Sequence, residues 1–410
     1  MLTKQNILIL ALPRFDGPYE STSFNLAKEF ARKHRVVYID HPFTLKDLIR
    51  HFRRPDIQVR LRKLFGLGSP LQLLEYTRNE LFILTLPVIL PINWLPAGWL
   101  YSLLSRINDR IVLSAIKKAI RLLGIKDCIF INSFDPTFGH YFLKKLPAKL
   151  TIYHCVDDIT GERYIAKHGA LLEKKLMQKV DMVVVTSEEL RKLKQPFNKN
   201  CYFVPNAADF DHFYKANDPV LQIPDDLRNL KKPVIGYIGN IGLRMDYELL
   251  KKVAIKHSDK SLVMIGPKDP REYQGAELEK IPNVHFLGKR NLIELPRYLK
   301  GIDVAIIPFL CNALTKAIYP LKINEYLAAG KSVVMTAFTN LDEFKGVTYV
   351  AENHQDFIGK IDDALNDQNE NYRRQCIAKA RGNTWEARVR QIEELIVAFL
   401  TGDKKIEDRR

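Results

Sequence analysis

The sequence predicts an α/β protein built from two doubly wound domains in tandem, and three observations point there. Short, β-branched apolar runs recur along the chain, each followed by a stretch of helical period. A polar, proline-containing stretch near the middle divides these runs into two series. The length of 410 residues exceeds one ordinary core and suits two domains of roughly 200 residues each.

The first series opens with NILILAL (6–12) and passes through the helical period of STSFNLAKEFARKH to RVVYID (35–40). ELFILTLP (80–87), DCIFINS (127–133), KLTIYHC (149–155), DMVVVTS (181–187) and NCYFVPN (200–206) follow. These runs are too apolar to alternate, so they are expected as parallel strands buried on both faces. The second series comprises PVIGYIG (233–239), SLVMIG (261–266), NVHFLG (283–288), DVAIIPF (303–309), SVVMT (332–336) and VTYVAE (347–352). Between the series, AADFDHFYKANDPVLQIPDDLRNLKKP (207–233) reads as a linker. NTWEARVRQIEELIVAFL (383–400) reads as a helix, either a simple cap or one that packs back across the junction. The expected division is therefore 1–210, 211–382, and a C-terminal helix and tail at 383–410, with GDKKIEDRR at its end frayed.

Composition narrows the function classes. Hydrophobic residues at 46% and charged residues at 27% describe a globular chain rather than a disordered one. Five cysteines lie scattered without a CxxC pair or a Cys/His cluster, which argues against a disulfide framework or a structural zinc site and suits a reducing, cytoplasmic setting. No run of about 18 apolar residues occurs. The N-terminus, with its short apolar stretch and no small-residue cleavage site, reads as a first strand rather than a signal peptide.

The formal charge of +16 is unevenly spread. Residues 1–210 hold 32 Lys and Arg against 19 Asp and Glu, or +13, and the rest of the chain carries only +3. Within that half, residues 44–126 hold 14 against 5. The same stretch interleaves Arg50, Arg53, Arg54, Arg60, Arg62 and Lys63 with Leu48, Ile49, Phe52, Leu61, Leu64 and Phe65, then adds Trp94, Trp99 and Tyr101. Aromatic and aliphatic side chains beside Arg and Lys suit a surface resting in an anionic headgroup layer. A plain solvated basic face is the simpler alternative. Nucleic acid is disfavoured as a partner, because no helix-turn-helix, zinc-finger, RRM or KH signature accompanies the basic residues.

Ligands of doubly wound folds sit beyond the carboxyl ends of the strands, and between two such domains the natural place is the cleft. Three strand ends carry candidate chemistry. In VIGYIGNIGLRMDYELL, Gly236, Gly239 and Gly242 make a glycine turn with Arg244 at the following helix; it is either a phosphate loop or a purely structural turn. In NALTKAIYPLKINEYLAAGKSVVMT, Pro320 suits the first helical position and Gly330 the helix end. Lys322 then falls in the first turn, where a cation opposes the helix dipole unless an anion joins it, and Glu325 lies one turn on, able to accept ribose hydroxyls. A surface ion pair between the two is the plain alternative. In KLTIYHCVDDITG, His154, Asp157 and Asp158 end a strand. A carboxylate there either acts on a hydroxyl or caps the next helix. The adjacent carboxylates lack the further ligands a metal site needs. Near the N-terminus, PRFDGPYESTSFNLAKEF holds Arg14, Asp16, Gly17 and Ser21, and Ser21 or Thr22 suits a helix cap.

PLKINEYLAAGKSVVMT resembles the C-terminal signature of GT-B glycosyltransferases of the group-1 (GT4-type) class. YHCVDD, VVVTSEEL, VPNAADFDHF, GYIGNI, NVHFLGKR and NTWEARV fall in the order of that family's corresponding segments. The resemblance covers residues 120–400 well and 1–43 loosely, and is strongest to a bacterial branch that builds cell-surface polysaccharides. It implies two Rossmann-like domains facing a central cleft, the first for the acceptor and the second for a UDP- or GDP-linked sugar. It implies Gly239 and Asn240 under the donor phosphates, Arg244 and Lys322 as the neutralising cations with Pro320 and Leu321 opening their helix, and Gly288 and Lys289 after the strand that recognises the base. Glu325 matches the second glutamate of the E-x7-E motif. The first falls at Ala317, so Asn312, Thr315 and Lys316 become the substitutes for holding the donor sugar. For Arg14, Asp16, Gly17 and Ser21 the resemblance implies a loop that binds an acceptor or a diphosphate.

The implied activity is a hexosyltransferase-type transfer to a hydroxyl of a saccharide or lipid-linked acceptor. It is retaining and independent of metal or resident cofactor, and peripheral on the inner face of the cell membrane. The alternatives are a nucleotide-sugar epimerase on the same fold and a non-catalytic protein that binds membranes or polyanions.

Overall fold

The computed structural model describes residues 2–17, 21–74, 80–161, 165–367 and 369–402. The tail at 403–410, expected to fray, and residues 18–20 of the first strand-to-helix loop lie outside them. The chain divides into two compact units: Met1–Pro205 with Arg388–Arg410, and Asn206–Ala387.

The first unit is built on eight strands: β1 (Asn6–Ala11), β2 (Arg35–Asp40), β3 (Leu71–Leu74), β4 (Leu81–Leu84), β5 (Cys128–Ser133), β6 (Ala148–Cys155), β7 (Met182–Val185) and β8 (Cys201–Phe203). Their order is β3-β4-β2-β1-β5-β6-β7-β8, parallel except for β3 against β4. The apolar runs become strands because helices cover both faces, so that β5 is buried at every position. β3 is the one strand the apolar pattern did not announce. It is a short antiparallel edge piece whose middle residues face solvent.

Two insertions enlarge this unit. Residues between β2 and β3 form short helices at Leu45–His51, Pro55–Gln58 and Leu61–Leu64, which close a small core of Phe43, Leu48, Ile57 and Leu64. A helix of 24 residues, Trp99–Leu122, precedes β5 and buries Asn108 and Asp109 on its inner face. Asn108 bonds both backbone groups of Leu90, at 2.9 and 3.0 Å, and Asp109 accepts from Gly139 N and Tyr141 N. The C-terminal helix Trp385–Thr401 contributes Glu393, which meets His34 Nε2 at 3.0 Å and Lys33 Nζ at 3.3 Å. Its residues from Arg388 onward thus belong to the first unit.

The second unit has six parallel strands, β9 (Val234–Ile238), β10 (Ser261–Ile265), β11 (Val284–Gly288), β12 (Val304–Ile307), β13 (Ser332–Thr336) and β14 (Tyr349–Ala351), in the order β11-β10-β9-β12-β13-β14. The order reverses between β9 and β12, the switch point where ligands of such sheets bind. The supposed linker 207–233 is a structured part of this unit. It forms helices at Phe210–Tyr214 and Asp225–Arg228, because Phe213 and Leu227 are buried there. Asn217 Nδ2 ties the segment to Ala328 O at 3.0 Å.

Candidate functional site

The helix Leu321–Ala328 follows β12 and runs back along the second unit's sheet. Pro320 stands at its N-cap, one residue earlier than the expected first position, and Gly330 ends it with a φ of 67°. Gly330 N and Lys331 N return to Leu327 O and Tyr326 O, closing the carboxyl end as a left-handed glycine cap does. Tyr326, one turn after Lys322, aims its hydroxyl at the backbone of Ile238. It accepts from Ile238 N at 2.9 Å and donates to Ile238 O at 3.2 Å. This pair of hydrogen bonds fixes the helix against the last residue of β9.

Immediately after that residue, Gly239 adopts a φ of 155°, a region open to glycine and costly to other residues. The absence of a side chain is needed sterically as well. A Cβ at Gly239 would overlap Cε of Lys322 and stand 2.7 Å from its Nζ. Lys322 therefore lies directly over the strand end. Gly239 N donates to Ile265 O at 2.8 Å, and Gly266 N donates to Gly288 O at 2.9 Å. Three glycines thus stand at the ends of the neighbouring strands β9, β10 and β11. Gly266 is packed so closely that a Cβ there would overlap the Gly239 carbonyl oxygen.

The electrostatics agree with this crowding. Burial lowers the Lys322 ammonium pKa, Arg244 lowers it further, and Glu325 opposes both. Burial also pushes the Tyr237 hydroxyl up, with Arg244 and Glu325 in its surroundings; this hydroxyl donates to Asn240 O at 3.0 Å. Gly239, Asn240, Arg244, Lys322 and Glu325 are therefore gathered about Tyr237 at the switch point. An anion above Gly239 would offset the burial cost of the Lys322 charge and face the amino end of the helix. Gly288 and Lys289 end the outer strand β11 and are exposed.

The other donor-side candidates are placed differently. Thr315 is fully buried, and its hydroxyl donates to Leu310 O while Asn312 Oδ1 accepts from Thr315 N at 3.1 Å. Both side chains cap the short helix Ala313–Lys316. They shape the loop and, for Thr315, leave no hydroxyl to offer a sugar. Lys316 is exposed beyond them. Ala317, where the first glutamate of the motif would stand, is 1% exposed, so this backbone holds a small apolar residue there. Asn206 donates from Nδ2 to Tyr319 O at 3.1 Å and steadies the segment leading into Pro320.

In the first unit, each candidate has a structural partner. His154 is enclosed in a chain from Ser23 through Ser133 to its Nδ1, at 2.7 and 2.9 Å, and burial lowers its pKa to about 4. Those bonds account for Nδ1 of the imidazole without a substrate. Asp158 accepts from Thr160 N at 3.1 Å, opening the next turn, while Asp157 accepts from Asp158 N at 3.3 Å and is partly exposed. Ser21 caps the helix Thr22–Phe30 by accepting from Phe24 N. Arg14 donates to His41 O and Pro42 O and lies 3.6 Å over the Phe43 ring. Asp16 is held by both terminal nitrogens of Arg60, each at 2.8 Å, and Arg60 also reaches Asp40 at 3.2 Å. Gly17 N closes the turn on Arg14 O.

Sequence reasoning missed Tyr326, Tyr237 and Gly266. Tyr326 alone had a signal, since it lies four residues from Lys322 on the same helix face. It also missed the His41–Asp135 pair, 2.6 Å apart and buried beyond β2 and β5. Among the described residues, no group of three His, Cys, Asp or Glu side chains is placed to hold a metal ion.

Residues 232–367 match the family model described as glycosyl transferases group 1. The putative teichuronic acid biosynthesis glycosyltransferase TuaH of Bacillus subtilis is 29% identical over 232 residues, a match spanning 54% of this chain and 57% of that relative's length. Sucrose-phosphate synthase from Thermosynechococcus elongatus superposes with a TM-score of 0.67 at 15% identity, covering 98% of this chain and 100% of that one. Anabaena HepE, solved in complex with UDP, gives 0.62 at 14% identity, covering 96% and 100%. The matched segment holds the whole glycine-and-lysine strand end and is similar to the group 1 glycosyl transferases, and the chain has the GT-B fold.

Proposed function

We propose that the chain transfers a sugar from a nucleotide-sugar donor to a hydroxyl of a saccharide or lipid-linked acceptor, in the assembly of a cell-surface polysaccharide. The observation that carries this reading is Lys322 lying over Gly239 at the amino end of the helix Leu321–Ala328, with Arg244 and Glu325 alongside. A match to a relative named for teichuronic acid biosynthesis and a fold shared with a UDP-bound structure support it.

In this mechanism the donor is a UDP- or GDP-linked sugar whose diphosphate rests above Gly239 and Asn240. As the glycosidic bond breaks, negative charge grows on the leaving diphosphate, and groups aimed at that charge lower the barrier. Lys322, Arg244 and the helix N-terminus supply them without a metal or a resident cofactor. Glu325 accepts hydrogen bonds from the ribose hydroxyls, and the configuration at the transferred carbon is retained.

The acceptor is proposed to arrive from an anionic membrane surface at the cytoplasmic face. The support is a concentration of exposed apolar side chains on the two insertions of the first unit. Ile49 is 76% exposed, Trp94 68% and Trp99 78%, with Phe52, Val59, Phe65 and Leu67 also exposed. Arg50, Arg53, Arg54 and Arg62 stand exposed among them. Among the described residues, no helix is long and apolar enough to cross a membrane.

The test is a panel of labelled nucleotide sugars incubated with the protein and an extracted lipid acceptor fraction. Label should move into the lipid or saccharide fraction, and Glu325→Ala should lower that transfer at least tenfold. Release of free epimerised donor without any acceptor, or no consumption of any donor, would sink the proposal.

A further inference from the structure

The second unit contains a cavity of about 280 Å³ at the opposite end of its sheet from Gly239. It lies where β12 and β13 begin, beside Asp303 and Ser332, whereas the donor loops lie where β9, β10 and β11 end. Its polar lining comes from Asn217, Lys300, Asp303, Lys331, Asn369 and Arg373.

The charges there do not balance. Asp303 is engaged by Lys232 Nζ at 3.1 Å and by Val234 N at 2.7 Å. Arg373 pairs through one nitrogen with Glu370 and through another with Asn217, both at 2.8 Å. With Lys232 and Glu370 counted as partners of the lining, four cations face two carboxylates, which leaves two positive charges. Those two are Lys300 and Lys331, and neither has an acid within salt-bridge distance among the described residues. Lys300 Nζ donates to Asp218 O and Pro219 O. Lys331 Nζ has a single hydrogen bond, to Lys300 O at 3.2 Å, so two of its three N–H groups remain for a ligand. Burial, with Lys232, Arg373 and Lys300 nearby, lowers the Lys331 pKa to about 8 against the pull of Asp303.

The backbone around the cavity also suits an anion. The helix Glu370–Arg381 starts at the cavity, with Asn369 as its N-cap, and brings the positive end of its dipole there. The carboxyl end of the helix Leu321–Ala328 borders the cavity too. Its last carbonyls are already bonded, to Ala329, Gly330 and Lys331 N–H groups and to Asn217 Nδ2, which reduces their repulsion of an anion.

We propose that this cavity is a second anion site, separate from the donor site, which takes a phosphate dianion, either free or as the monoester of a small molecule. Two uncompensated cations match a dianion better than a singly charged carboxylate. The volume exceeds that of one phosphate and leaves room for a small polyol attached to it.

The intact protein is titrated by calorimetry and thermal melting with inorganic phosphate and with glucose 6-phosphate, against sodium chloride of equal ionic strength. Saturable heat and a rise in melting temperature beyond the chloride control are expected. Lys331→Met should weaken that binding at least tenfold. Arg373→Gln, as a second variant, should do the same, and melting of both variants in chloride shows that each is folded. Tighter binding of inorganic phosphate identifies the free ion as the occupant; tighter binding of the ester identifies a phosphorylated small molecule. A response no larger than that to chloride, or one that survives in both variants, overturns the proposal.

Discussion

Replacing Gly239 with alanine puts a methyl group where the Lys322 side chain runs. The new Cβ overlaps Lys322 Cε and stands 2.7 Å from Nζ, so the ammonium group has to leave the strand end. The obstructing atoms are the far end of a flexible side chain, and the side chain yields before the backbone does. The φ of 155° adds a backbone cost of about 1–2 kcal/mol. A charge-assisted hydrogen bond to phosphate is worth ~1.5–3 kcal/mol, so its loss weakens nucleotide binding roughly ten- to a hundred-fold. Calorimetry with UDP and GDP on Gly239→Ala, Lys322→Met and the double variant tests this. Both changes remove the same contact, so the double variant should bind no worse than the weaker single one, within about 0.5 kcal/mol. Urea unfolding should show Gly239→Ala alone losing the backbone term. Unchanged affinity in Gly239→Ala, or two losses that simply add, would refute the reasoning.

Three further outcomes are expected. Ala317→Glu, which restores the motif's missing glutamate, should lower stability by at least about 1–3 kcal/mol without raising transfer, because Ala317 is enclosed; a more active and equally stable variant contradicts this. Burial pushes the Asp40 carboxyl up to about 6 against Arg60, and that of Asp109 up to about 7 against two backbone donors. Their folded values lie above the unfolded ~3.9, so the stability they add is full below that pH and is lost as pH rises through 6 and 7. The melting temperature of the first unit should therefore fall from pH 5 to pH 8, and Asp109→Asn should flatten the fall; an equally steep fall in the variant excludes Asp109 as its source. In flotation with phosphatidylserine vesicles at low salt, changing Arg50, Arg53 and Arg54 together to Glu should remove at least about 1 kcal/mol of binding per residue; no flotation of the parent protein would end the membrane reading.

The strands were legible because burial on both faces leaves an uninterrupted apolar run, as in DVAIIPF and DMVVVTS. β3 was not, since an edge strand with solvent-facing middle residues carries little apolar signal. The stretch 207–233 looked like a linker by its polar content, yet buried side chains scattered through it, Phe210, Phe213, Ala216 and Leu227 among them, pack it into the second unit. Glycine and proline punctuation singled out Gly239 and Lys322 as residues, but their contact spans 83 positions and emerges only in three dimensions. Thr315, Ser21 and His154 show the converse. A hydroxyl or an imidazole at an element end reads the same whether it serves a substrate or a cap, and here the hydrogen bonds are made within the protein. The Arg60–Asp16 pair joins residues 44 apart, and no local pattern announces it.

The most direct measurement is the structure of the protein crystallised with UDP or GDP. A diphosphate is expected above Gly239 and Asn240 within hydrogen-bond distance of Lys322 Nζ, with the ribose hydroxyls on Glu325. A nucleotide bound away from the carboxyl ends of β9 and β12, or one that leaves Lys322 and Glu325 untouched, would contradict this.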